Sequence, residues 1–80
     1  MSDQDTIEIL RGIWEEVLGS AVDDIDADFF DLGGDSLLAL TISTRAIESG
    51  LQMPRSAVLR CSTIRLLAEA IADPTLFERV

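Results

Sequence analysis

One hydroxyl in this sequence stands where a group could be attached. Ser36 follows Gly33-Gly34-Asp35 and precedes Leu37-Leu38. Two glycines reach backbone angles closed to other residues, so the chain can turn sharply there. A helix starting at Ser36, with Asp35 as its cap, would surround that hydroxyl with N–H groups lacking intrahelical partners. Those groups and the helix dipole favour an anion, so a phosphate joined to the Ser36 oxygen would be tolerated. From these residues alone two readings are open: a modification site, and an ordinary turn into a helix. In neither is Ser36 a self-activated nucleophile. The chain holds no His, Lys or Tyr, so a Ser-His-Asp or Cys-His arrangement cannot be built within it. If Ser36 reacts, another protein must activate it.

Other chemistries fare worse. A Walker-type phosphate loop and a Schiff-base site both lack their Lys. The single Cys61 cannot make a structural zinc site or an internal disulfide, which fits a reducing cytoplasm. It reads as a small apolar residue. Asp24, Asp26 and Asp28 match positions 1, 3 and 5 of an EF-hand loop. Phe29 then occupies the position that needs glycine, and Asp35 replaces the closing Glu. We therefore assign no metal site. Calcium sensing stays only as an alternative for titration to address.

Composition narrows the class further. The chain has 80 residues, 48% of them hydrophobic, so one small packed domain is expected over residues 1–80. Fifteen acids against six arginines give a net charge of −9. Such a surface argues against nucleic acid and against anionic membranes. No apolar run approaches the roughly 18 residues of a membrane span. The acids concentrate in residues 1–36, which hold eleven of them and only Arg11. That half is either a solvated face or a field that steers a basic partner.

These residues need elements to hold them. Ile7, Leu10, Trp14, Val17 and Leu18 form one helical stripe, with Asp5 and Glu8 resembling a capping box and Gly19 a stop. A second helix is expected from Ser36 to near Gly50. A short third begins at Pro54 and covers about Arg55 to Arg60. A fourth runs from Thr63, capped by Ser62, to Ala72, with Ile64, Leu67, Ala68 and Ile71 buried; Asp73-Pro74 ends it. No stretch alternates with period two. The fold class is all-α: a small four-helix bundle, three main helices plus one short one. Its first loop, about residues 19–35, is long, and such loops are often functional. At least one of Phe29 and Phe30 should pin it to the core.

Taken together, these segments resemble the acyl carrier protein superfamily, most closely a peptidyl carrier protein (thiolation domain) of nonribosomal peptide synthesis. Ile13-Trp14-Glu15-Glu16-Val17-Leu18-Gly19 is similar to that family's first-helix ending. Asp28 to Leu38 resembles its modification motif, and Pro54 to Ala68 its third- and fourth-helix region. The resemblance implies that Ser36 receives 4′-phosphopantetheine from coenzyme A. A separate phosphopantetheinyl transferase does this with magnesium. Gly33, Gly34, Asp35 and Leu37 are the flanking motif. The arm's thiol would carry an aminoacyl, peptidyl or acyl group as a thioester, and the chain itself would catalyse nothing. Partners implied are an adenylation (loading) enzyme and downstream condensation, tailoring or thioesterase enzymes. The carrier itself would be a cytoplasmic monomer.

Asp35 stands where many peptidyl carriers have His; Asp there is common in fatty-acid and polyketide carriers. Ser62 stands where proline is frequent, and Leu59 where Phe is common. Met1 and the length suggest a free-standing carrier, with excision from a larger synthetase as the alternative.

The second helix must both pack and present. Leu38, Ile42 and Ala46 form one stripe expected to face the core. Leu37, Leu40, Thr41 and Thr44 form the neighbouring one. By resemblance partner enzymes would read it; by periodicity alone it could be more core. The competing function is a noncatalytic acidic interaction module whose Gly-Gly-Asp-Ser turn is only structural.

Overall fold

Five helices follow one another in a computed structural model that describes residues 3–79. They are α1 (Asp3–Leu18), α2 (Ser36–Glu48), α3 (Ala57–Arg60), α4 (Ile64–Ala72) and α5 (Thr75–Arg79). No strand occurs among the described residues.

Helix α1 packs against α4 and α2, while α3 packs on α2 and α5 on α4. Leu10, Ile13 and Trp14 are its buried face; Ile7, Val17 and Leu18 are partly buried beside them. It stops where expected. Gly19 has φ +76° and its N–H donates to Glu15 O at 2.8 Å. The expected capping box does not form, because the helix is already under way at Asp3 and both Asp5 and Glu8 lie inside it. Glu8 pairs instead with Arg11 at 3.0 Å.

The C-terminal half departs from the four-helix expectation in three places. Helix α3 is a single turn from Ala57, because Pro54 first forms a turn whose carbonyl accepts from Ala57 N at 3.0 Å. The cap of α4 is Thr63 rather than Ser62: Thr63 Oγ1 accepts from Leu66 N at 3.1 Å. Two hydroxyls stand side by side there, and only the nearer one reaches the first turn. Proline does end α4 at Ala72, but a fifth helix starts directly after it. Asp73 Oδ1 accepts from the Thr75 hydroxyl at 2.6 Å and from Thr75 N at 3.3 Å. This short helix buries Phe77, whose carbonyl is held by Arg60 Nη1 at 2.7 Å.

The core also includes Ile42, Ala46, Val58, Ile64 and Leu67, all fully buried. Burying each of the Ile, Val and Leu side chains among them contributes about 1.5–3 kcal/mol. Cys61, expected as a small half-buried apolar residue, lies within the core at 4% exposure. Phe29 leaves the long first loop and meets Trp14 edge-on, with ring centroids 5.1 Å apart. That loop is therefore fastened from its middle.

Candidate functional site

Ser36 is exposed and is the first residue of α2. Asp35 caps the helix as its sequence position implied: Oδ1 accepts from Leu38 N at 2.8 Å. The capping leaves the N–H groups of Ser36 and Leu37 as the unpaired donors of the first turn. They are the groups that favour an anion beside the hydroxyl.

The two glycines before it serve different purposes. Gly33 adopts φ +99°, which side-chain-bearing residues rarely reach. Gly34 is required by space: a Cβ there would lie 2.2 Å from Phe29 Cε2. The buried Phe29 ring thus packs directly on Gly34's backbone, and Gly34 N donates to Phe29 O at 3.1 Å. Core packing therefore limits the path of the turn at Gly34. At Gly33 nothing lies within 4 Å of where a Cβ would stand, so that side of the turn is open.

Helix α2 divides into two faces. Ala39, Ile42, Ser43 and Ala46 are buried, and Leu38 packs half-buried against them. Leu37 is 72% exposed, Leu40 44%, and Thr44 is exposed; Thr41 is half-buried. Thr41 and Thr44 hydroxyls donate back to Leu37 O and Leu40 O at 3.0 and 2.9 Å. With those hydroxyls engaged by the helix, the face is more apolar than its composition. Ile47, 39% exposed, extends it. The sequence reading missed Ile47, although it continues the spacing of Leu40 and Thr44.

The aspartates of the EF-hand-like run have separate partners. Asp24 Oδ1 accepts from Asp26 N at 2.9 Å. Asp26 pairs with Arg65 at 2.5 Å. Asp28 accepts from the Ser62 hydroxyl at 2.7 Å and from Phe30 N at 2.9 Å. Among the described residues, no group of three or more such side chains is gathered in metal-binding geometry. The Ser62 hydroxyl, and then the Phe30 N–H, hold the Asp28 carboxyl below its ordinary value. Asp26 conversely strengthens the charge on Arg65. Burial pushes the Cys61 thiol up, so it is not a reactive thiolate.

Sequence reasoning also missed the loop's other anchors. Glu15 Oε2 accepts from Val22 N at 2.8 Å, and Arg65 N donates to Ile25 O at 3.0 Å. Arg65 and Ile25 lie far apart in sequence, and even the Glu15–Val22 bond spans the end of a helix, so no local pattern announces either.

Comparison with known proteins fits this geometry. Residues 8–71 match a family model described as a phosphopantetheine attachment site. One of the linear gramicidin synthase proteins of Brevibacillus parabrevis is 39% identical over 66 residues, which is 82% of this chain and 1% of that protein. The chain thus spans about one hundredth of that relative's length. A solved non-ribosomal PCP domain aligns with a TM-score of 0.71 at 35% identity, over 86% of this chain and 87% of that one. BlmI, a type-II acyl-carrier-protein from Streptomyces verticillus involved in bleomycin biosynthesis, aligns with a TM-score of 0.78 at 22% identity, over 91% and 89%. This second likeness establishes the acyl-carrier-protein fold. By sequence and by fold, the chain belongs to the phosphopantetheine attachment-site family, carrier domains that hold 4′-phosphopantetheine covalently.

Proposed function

We propose that Ser36 is the attachment point of the arm. The observation that carries this reading is the exposure of Ser36 at the first position of α2, directly after the Gly33–Gly34–Asp35 turn. Its oxygen would form a phosphodiester with the pantetheinyl phosphate of coenzyme A, displacing the adenosine bisphosphate portion. The serine proton leaves to a base on the transferase, since this chain has no His or Lys to take it. When bound, the arm supplies a thiol that holds cargo as a thioester.

The chain's own residues position and present. Asp35 fixes the helix start, the unpaired N–H groups of the first turn offset the phosphate charge, and the Leu37–Leu40–Thr44 face offers partners an apolar surface beside it. In this reading the chain has no catalysis of its own. Aminoacyl or peptidyl cargo is supported by the 35% identity to a non-ribosomal PCP domain. The proposed partners are the transferase, a loading adenylation enzyme, and condensation, tailoring or thioesterase enzymes. Residues 1–80 would act as a single carrier unit and a monomer. The cytoplasm, which holds coenzyme A and keeps the thiol reduced, is its proposed location. No helix among the described residues is long and apolar enough to cross a membrane.

Incubation with coenzyme A, magnesium and a promiscuous transferase, followed by intact-mass measurement, tests the reading. One added phosphopantetheine is expected, absent in Ser36→Ala. An equal mass gain in Ser36→Ala would refute it.

A further inference from the structure

The turn before Ser36 hangs on a residue in another part of the chain. Ser62 lies between α3 and α4, and it holds the loop twice. Its hydroxyl donates to Asp28 Oδ2 at 2.7 Å, and its carbonyl accepts from Phe29 N at 2.7 Å. The bonds that shape the turn then run back to the same short segment. Phe30 N donates to Asp28 Oδ1 at 2.9 Å, and Leu32 N to Asp28 O at 3.1 Å. Gly34 N donates to Phe29 O at 3.1 Å, and Gly33 N to Phe30 O at 3.3 Å. Ser62 is not occupied with capping α4, because Thr63 does that.

We propose that Ser62 and Asp28 form a positioning pair for the modification of Ser36. Their hydroxyl–carboxylate bond fixes the Gly33–Gly34 turn, so that Ser36 Oγ reaches the transferase already oriented. The proposal rests on Ser36 being the attachment point. Neither residue touches the reacting atoms, and both act through the turn. A two-glycine turn has more conformational freedom to lose than any other pair. Restraining it in advance raises the fraction of encounters with the hydroxyl aligned. The low proton affinity of the Asp28 carboxyl agrees with a charge-assisted bond from Ser62. The docking face on α2 is not part of this linkage. Loss of the pair should therefore change turnover rather than affinity.

The test is transferase kinetics on the full chain with coenzyme A and magnesium, below the melting temperature of every variant. Ser62→Ala and Asp28→Ala are each expected to lower kcat about three- to tenfold, the scale of one such hydrogen bond. KM for the carrier should stay within about twofold. The double variant should be no slower than Asp28→Ala, because both changes remove the same link. Ser62→Thr should keep wild-type kcat while Ser62→Val loses it. That pair differs by one hydroxyl, and it decides the matter even if Asp28→Ala does not fold. Amide resonances of Gly33 and Gly34 should move in Ser62→Val and not in Ser62→Thr. Equal kcat for Ser62→Thr and Ser62→Val, with wild type fully modified, would overturn the pair's role and leave Ser36 standing. An unmodified wild type would sink the Ser36 assignment, and the pair's role with it.

Discussion

Two adjacent glycines show how far single residues can be read. That the turn needed them was legible, since Gly33-Gly34 before a helix start signals backbone freedom. That Gly34 is there for space was not, because the constraint comes from the Phe29 ring. Gly34→Ala would force that ring to shift, yet Phe29 is already fixed edge-on against Trp14. We expect it to destabilise the fold by about 1–3 kcal/mol, the usual scale of overpacking. Urea unfolding followed by Trp14 fluorescence measures this. A variant as stable as wild type would mean the ring moves without strain. Asp35 was legible as a cap because its effect is local. Ser62 reads as a cap from sequence, yet its true partner, Asp28, lies 34 residues away.

At the scale of elements, start and stop signals located most helix ends. Gly19, Asp35 and Pro74 all act where their chemistry placed them. The fifth helix escaped because proline signals an end, while the pull of the core on Phe77 beyond it has no local signature. The faces of α2 were legible in outline, but the buried stripe is Ala39–Ile42–Ser43–Ala46, with Leu38 at its edge. Periodicity gives the stripe's angle only coarsely; the helices packed against α2 set it. The exposed face was the sharper inference. With Leu37 72% exposed, Leu37→Asp removes little packing, and an acid in the first turn suits the helix dipole. Circular dichroism should be unchanged and stability within about 0.5 kcal/mol. The rate of phosphopantetheine transfer should fall severalfold. Unfolding of this variant would show that Leu37 serves the core after all, and an unchanged rate would remove it from the docking face.

For the whole molecule, stability depends on pH through two groups of opposite sign. The Asp28 carboxyl titrates below its ordinary value in the folded chain, so its stabilisation is full above the unfolded value of about 3.9. It is lost as pH falls through the folded value. Cys61 has the opposite sign: its raised value gives stabilisation that is full below the unfolded thiol's pKa of about 8.5, and that is lost as pH rises through the folded value. Melting temperature should therefore decline on both sides. Asp28→Asn should flatten the acid limb and Cys61→Ala the alkaline one. Identical profiles for wild type and both variants would contradict these assignments. The overall plan, an all-helical carrier domain, was legible because the apolar stripes recur at helical spacing and Asp28 to Leu38 resembles the family's modification motif; the missing His and Lys only excluded the chemistries that need them. Above all, one hydroxyl is held to carry the arm. Tandem mass spectrometry of the digested, transferase-treated protein tests this most directly. We expect phosphopantetheine on the peptide containing Ser36 and on that serine alone; modification at another serine, or none with a transferase active on a control carrier, would contradict it.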